Sequence, residues 1–341
     1  MKLAIHNGKD NKTSWNLRWM EYCEEKGIPY IGVDCHSSDI IQVLKRENVT
    51  HLMWAFSLSL PKDLIMAQSV LNAVEKMGIK TFPNFPNRYH FEDKIAQKYI
   101  LEAIGAPIVD SWVFYDKQEA NNFVQTYKEP LVAKLRRGAG SFNVVLLSTP
   151  KKAKQYINQM FTKGANPAPS LSDFGREKLK KIRSHINTNL TVSDLFQKAL
   201  MKWRRRSLYP KEIGYVYFQK FLKDNKNDLR IAVVGNRIWG FYRGVRAGDF
   251  RASGSGIIDY ETKIPLDVAK ASWEITQVLG TQSLCFDYVK DADNNYKIVE
   301  ICYGYMGGAI YKCDGYWDEN LQFHEGHFYP EFLILEDFIK S

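Results

Sequence analysis

No apolar run in the 341-residue chain approaches the ~20 residues that a helix needs to span a bilayer. The opening Met1-Lys2-Leu3-Ala4-Ile5-His6 is too short an apolar stretch for a secretory signal, so the expectation is a cytoplasmic protein with no membrane span. Cysteine is scarce: Cys23, Cys35, Cys285, Cys302 and Cys313 include no C-x-x-C pair, which argues against a zinc ribbon and a disulfide framework and for free thiols in a reducing compartment. Proline-rich, Gly/Ser-rich and repetitive tracts are also missing. With 45% hydrophobic and 25% charged residues, the composition is that of a globular protein and not of a disordered one.

The length exceeds the ~100–200 residues of one ordinary domain, so two or three lobes are expected. The net charge of +9 raises the question of a nucleic-acid partner. Much of the excess is concentrated in Arg176, Lys178, Lys180, Lys181, Arg183, Lys198, Lys202, Arg204, Arg205 and Arg206. A solvated helical face or flap accounts for such a stretch more readily than nucleic acid does, with an anionic substrate or partner as the alternative.

Residues 1–84 alternate strand and helix. Residues 2–6, 30–34 and 51–56 read as short buried strands, and 13–26, 40–47 and 61–77 as helices, the second capped by Ser38-Asp39 and the third stopped by Gly78. This alternation predicts a parallel sheet flanked by helices. Phe82-Pro83-Asn84-Phe85-Pro86-Asn87 breaks the pattern, and Asn87 is the expected cap of a helix over 89–104. Residues 85–149 read as an α+β lobe, 150–210 as a basic helical insertion, and 211–341 as a second α+β lobe with an aromatic tail that packs back on it.

The chemistry begins with two carboxylates. Strands over 283–289 and 296–302 flank a turn at Asp293-Asn294, so a hairpin sets Asp287 opposite Glu300, and alternation places Ile298, Glu300 and Cys302 on one face. Facing carboxylates in apolar strands repel unless they share a cation or a proton, or pair with Arg or Lys of a neighbouring strand. Magnesium, which prefers oxygen ligands and keeps phosphates in its shell, suits the pair and implies a triphosphate. Lys134 is a charge inside the apolar run 131–135, and Gly138 and Gly140 in the loop 136–141 permit a backbone nest for phosphate. His324-Glu325-Gly326-His327 lacks the H-E-x-x-H spacing and reads as surface or packing, and Trp15 and Trp19 read as core aromatics in preference to a substrate cleft.

In this order the motifs resemble the ATP-grasp superfamily, in its RimK-like carboxylate-amine ligase branch, over residues 83–303. Asp93-Lys94 and Lys134 resemble the family's two phosphate-binding lysines, and Tyr217-Phe218-Gln219-Lys220-Phe221-Leu222 its adenine-reading hinge. Asn227-Asp228-Leu229-Arg230 is similar to its D-x-R signature, Arg243 and Phe250-Arg251-Ala252-Ser253-Gly254 to its acceptor-side arginines, and Asp287 with Glu300-Ile301-Cys302 to its metal ligands.

The resemblance implies an α/β and α+β chain with the ATP-grasp fold: a Rossmann-like pre-ATP-grasp domain, then two α+β lobes enclosing the nucleotide. It implies ATP and Mg2+ as cofactors, a carboxylate and an amine as substrates, and an acyl phosphate between them. Lys94, Lys134, Arg137, Gly138, Gly140, Ser141, Gln219, Lys220, Phe221 and Leu222 would hold nucleotide. Arg230, Arg243 and Arg251 would hold the transferred group, and Asp287, Glu300 and Cys302 the metal. Cys302 stands where the family has asparagine, and a thiol is a poor magnesium ligand. Ser253 replaces a second asparagine, and Lys220 an acidic residue. A phosphotransferase acting on a hydroxyl and a non-catalytic nucleotide or nucleic-acid binder are the alternative functions. The tail 313–326 resembles RimK-like proteins of surface-polysaccharide synthesis, which makes an anionic or carbohydrate-linked substrate an expectation. A homodimer is one assembly open to such a chain.

Overall fold

Strands and helices alternate at the start of the computed structural model: β1 (Leu3–His6), α1 (Ser14–Lys26), β2 (Tyr30–Val33), α2 (Ile40–Arg46), β3 (His51–Met53), α3 (Pro61–Lys76) and β4 (Lys80–Phe82). The structure describes residues 1–8, 14–57, 61–137, 143–167, 209–246, 250–251 and 254–341. The strands form a parallel sheet in the order β2-β1-β3-β4, as connection through helices requires. β4 has no counterpart in the sequence reading, and β3 stops at Met53, after which Trp54, Ala55 and Phe56 stay buried outside the sheet. Asp39 stands at the N-cap of α2 without making a capping bond, because it accepts the Ser37 hydroxyl instead.

The helix expected over 89–104 is two helices, α4 (Phe85–Tyr89) and α5 (Lys94–Ala103), separated at Glu92 by a left-handed backbone angle of φ 47°. Asn84 caps α4, accepting the Asn87 N–H at 3.1 Å. Asn87, the expected cap, is instead buried within α4: its Nδ2 donates to the Ser283 carbonyl and its Oδ1 accepts the Gln282 N–H, both at 2.5 Å.

Next come β5 (Ser111–Phe114), α6 (Lys117–Thr126), β6 (Leu131–Lys134), β7 (Val145–Leu147), α7 (Pro150–Thr162) and β8 (Val216–Lys220). They build an antiparallel sheet in the order β5-β8-β6-β7, with Val124, Leu131, Ile157, Met160 and Phe218 in its core. The last stretch comprises β9 (Asn227–Val234), β10 (Arg237–Gly244), β11 (Ile258–Asp259), α8 (Leu266–Leu279), β12 (Ser283–Lys290), β13 (Tyr296–Cys302), α9 (Gly307–Tyr311), β14 (Gly315–Asp318), β15 (Phe323–Glu325) and α10 (Pro330–Lys340). Its strands form a seven-stranded sheet, β13-β12-β9-β10-β14-β15, with β11 paired to β10.

The chain divides into two compact units. One comprises Met1–Phe91, Ala96–Ile108 and Leu222–Ser341; the other comprises Glu92–Ile95 and Val109–Phe221. The first unit therefore draws on both ends of the chain. The tail helix α10 joins the core of the parallel sheet, where Ile334, Leu335 and Phe338 cluster with Leu3 and Trp19, and Trp19 donates its indole N–H to the Glu331 carbonyl at 2.9 Å. Trp15 and Trp19 are core residues, as their helical spacing predicts.

The two faces of the seven-stranded sheet differ. Leu229, Ile231, Val233, Leu284 and Phe286 share one core with Ala269 of α8 and Leu101 of α5. On the other face, Ala232, Val234, Trp239, Phe241 and Cys285 belong to the core of the parallel sheet. Farther along these same strands, that second face turns from apolar to charged.

Candidate active site on the seven-stranded sheet

Register places the charges side by side. Asp287 pairs with Glu300 across β12 and β13 and with Arg230 across β12 and β9, while Asp228 pairs with Arg243 across β9 and β10. Residues directly opposite in antiparallel strands project to the same face. Cys302 continues that face two residues beyond Glu300, opposite the buried Cys285.

Ile298 does not share this face. Asp287 pairs with Glu300, but Tyr288 pairs with Ile298, so Val299 is an extra residue at a β-bulge. The bulge breaks the period of two and sends Ile298 into the core with Tyr288 and Phe286, leaving Glu300 beside Asp287.

Two arginines grip the two aspartates. Arg230 donates through Nε and Nη2 to Oδ1 and Oδ2 of Asp287 at 2.8 and 3.0 Å. Arg243 donates through the same two nitrogens to Asp228 at 2.7 and 2.6 Å, and its Nη2 also lies 2.8 Å from Asp287 Oδ2. Burial would raise the Asp287 carboxyl, but the charges of Arg230 and Arg243 overturn that and hold it well below the usual carboxylate range. Asp228 goes the other way, pushed up to about 6 by burial and the Asp287 charge against the pull of Arg243. Burial opposes both guanidinium charges, and the neighbouring carboxylates, Asp287 foremost, more than restore them.

The pairing with arginine that the sequence left open for Asp287 is thus realised. It does not close the carboxylate to a metal: Oδ1 receives one N–H and Oδ2 two, out of about four lone-pair directions, which leaves one on Oδ1. Together with Glu300 this is a hard oxygen set, which fits magnesium. The third expected ligand fits poorly, since the Cys302 thiol is soft and donates to the Gly304 carbonyl at 3.0 Å. Arg251 lies in the stretch between β10 and β11, half-buried, its guanidinium carbon 5.8 Å from the Phe250 ring centroid. Asp228, read from the sequence only as part of the D-x-R match, emerges as a member of the charged cluster; its i, i+2 spacing to Arg230 was the available signal.

The second unit carries the predicted lysines and the hinge positions up to Phe221, and Leu222 begins the last segment of the first. Lys134, buried at the end of β6, donates to Gln219 Oε1 at 2.7 Å, and Gln219 Nε2 donates onward to Ser111 Oγ at 3.2 Å. Lys94 is buried too, and its backbone N–H bonds the Arg136 carbonyl at 3.0 Å, tying the start of α5 to the end of β6. The hinge positions are partly engaged: the Lys220 N–H donates to Asp110 O at 2.9 Å and the Phe221 N–H to Pro130 O at 3.2 Å. Neither N–H is therefore an outward donor for a base edge. Lys220 Nζ lies 3.6 Å from Glu129 at the surface, and Arg137 is half-buried. Gly138, Gly140, Ser141, Ser253 and the basic segment 176–206 lie outside the described residues. His324 and His327 have structural roles, pairing with Asp318 at 3.0 Å and with the carbonyls of Tyr311 and Cys313, both at 3.0 Å.

No model of a protein family matches the chain, and no curated protein sequence does either. Solved structures do. D-cycloserine synthetase DcsG superposes with a TM-score of 0.58 at 11% identity over 99% of this chain and 100% of that one. A RimK domain ATP-grasp protein from Sphaerobacter thermophilus gives 0.54 at 11% identity with both chains fully covered. The ATP-grasp ligase PsnB, determined with its minimal precursor, Mg and ADP, gives 0.53 at 12% identity over 99% of this chain and 97% of that one. The chain has the ATP-grasp fold. Identities this low carry the architecture only, and the chemistry rests on the residues just described.

Proposed function

We propose that the protein is an ATP-dependent ligase that activates a carboxylate as an acyl phosphate for attack by an amine, releasing ADP and phosphate. The observation that carries this reading is the Asp287–Glu300 pair beside Arg230 and Arg243 on one sheet face. Such a set holds cations and anions together, which suffices for phosphoryl transfer by positioning and charge stabilisation without a nucleophilic side chain.

In this reading Asp287 and Glu300 hold Mg2+, which would neutralise charge on the triphosphate. Asp287 orients Arg230, and Asp228 orients Arg243, through their Nε and Nη2 edges, with Arg243 Nη2 shared by Asp287, and the Nη1 arms are the donors for a transferred phosphoryl group or acyl phosphate. Arg251 is assigned to the same anion. Lys94, Lys134, Arg137 and the 136–141 loop bind phosphates, with Gln219 fixing the Lys134 ammonium. Adenine recognition at Gln219, Lys220, Phe221 and Leu222 uses carbonyls or the Leu222 N–H, since the Lys220 and Phe221 N–H groups are engaged.

The test is a turnover assay of purified protein with ATP, Mg2+ and pools of acids and amines, carbohydrate-linked carboxylates among the acids. ADP and free phosphate are expected, and Glu300→Gln and Lys134→Met should each abolish their release. AMP as the nucleotide product would refute the mechanism, and phosphate retained on the acceptor would identify a phosphotransferase.

A further inference from the structure

A second cluster of ligand-type side chains lies at the carboxyl end of the parallel sheet. His6 ends β1, Asp34 and His36 follow β2, and Asp63 comes from the first turn of α3. In the order β2-β1-β3-β4 the connections from the adjacent strands β1 and β3 depart to opposite sides, and crevices at such reversals, outside the strand ends, are where open parallel sheets take ligands. None of these residues belongs to the site proposed above.

We propose that His36, Asp34 and His6 form a site for a divalent first-row transition metal. The argument starts at His36, whose side chain is only 7% exposed. Its Nε2 lies 2.5 Å from Oδ1 of Asp63, a carboxylate itself 2% exposed and anchored through Oδ2 by the Ser57 N–H at 2.7 Å. A carboxylate there fixes the proton on Nε2 and leaves the Nδ1 lone pair, the arrangement that supports metal-bound histidines. Nδ1 is buried without a hydrogen-bond partner, and 3.3 Å away stands a second electron-rich atom, Asp34 Oδ1. Two acceptors face each other there, and a cation relieves them.

The spacing suits a metal. Tetrahedral zinc with bonds of about 2.0–2.2 Å sets its ligand atoms roughly 3.3–3.6 Å apart. His6 completes the group, all three ligand atoms lying within 4.8 Å of one another. Its Nδ1 accepts the Cys35 N–H at 3.0 Å, a bond that ligation through Nε2 would give up, so His6 is the weakest of the three ligands. Gly8 keeps the approach open: a Cβ there would stand 2.8 Å from Asp34 Oδ1 and 3.1 Å from His6 Nε2. Imidazole nitrogen with one carboxylate selects zinc, cobalt, nickel or iron over magnesium, so this site and the Asp287–Glu300 set take different ions.

The full-length chain, stripped with a chelator and returned to saturating Mg2+, is titrated with Zn2+ by calorimetry and with Co2+ by visible absorption. One equivalent is expected. His36→Ala and Asp34→Asn should abolish binding, Asp63→Asn should weaken it about 10–100-fold, His6→Ala should weaken it less than His36→Ala, and Glu300→Gln should leave it unchanged. Because Asp34 is exposed, Asp34→Asn tests the site even if a buried histidine variant fails to fold. Absence of stoichiometric binding, binding that survives Asp34→Asn, or binding lost with Glu300→Gln would each overturn the proposal. None of these results depends on the ligase reading.

Discussion

Two clusters in the first unit pair acids with bases and differ in the base. Around Asp287 the partners are arginines, which keep their charge at any pH the fold survives and present paired N–H groups that match a carboxylate edge. Three of the four lone-pair directions of Asp287 are filled as a result, and the cluster is held largely by itself. Around Asp34 and Asp63 the partner is His36, which has two nitrogens, of which only Nε2 finds a hydrogen-bonding acid. The first cluster is a stiff frame beside which a ligand can be held, and the second has an acceptor to spare. The capacity of an acid to recruit a ligand depends on how many of its oxygens, and its partner's nitrogens, the protein has already engaged.

The largest effect should come from removing the acid that both arginines share. Asp287→Ala takes from two largely buried guanidiniums the acid they share, leaving Asp228 on Arg243, and should cost about 3–5 kcal/mol in urea unfolding. A loss below about 1 kcal/mol would mean that the arginines re-pair, and that the frame is softer than its geometry implies.

The same frame carries one titratable weakness. Asp228 is raised from 3.8 to about 6 in the folded chain, so between these values the native state binds more protons than the unfolded state. Stability from this group therefore falls as pH rises from about 4 to 6, by no more than about 3 kcal/mol, and is level above that. Unfolding measured at both pH values should show this slope in the parent and lose it in Asp228→Asn.

For the histidine cluster, zinc at a hundredfold excess over its Kd should stabilise the chain by about 2.7 kcal/mol, and His36→Ala should remove the gain. A stabilisation equal in both proteins would erase the contrast between the clusters. The smallest effect tests the same rule at helix ends. Asp116 caps α6, accepting the N–H groups of Gln118 and Glu119 at 2.7 and 2.9 Å, whereas Asp39 makes no capping bond. Asp116→Ala should cost about 1 kcal/mol and Asp39→Ala only a few tenths, read as shifts in the urea midpoint.

Much of the fold was legible because it follows from local patterns. The alternation over 1–84 called for a parallel sheet, and the turn at Asp293-Asn294 set Asp287 opposite Glu300. Where the sequence reading missed, a distant partner had intervened. Asn87 looks like a cap and is instead bonded to Gln282 and Ser283, and the helix expected across 89–104 breaks at Glu92. The His6–Asp34–His36 group was illegible because metal spacing is read along the chain, and these ligands come from the ends of two parallel strands.

The sequence by itself determined the alternation of strand and helix over residues 1–84, apart from β4, and that Lys134, Arg230, Asp287 and Glu300 stand in or beside apolar strands, because periodicity and burial preference act over a few residues. Only the tertiary structure decided that Asp287 is held by two arginines, that a bulge turns Ile298 away from Glu300, and that His36 meets Asp63. Those outcomes depend on strand order and register across the sheets, where residues far apart in the chain compete for the same hydrogen bonds.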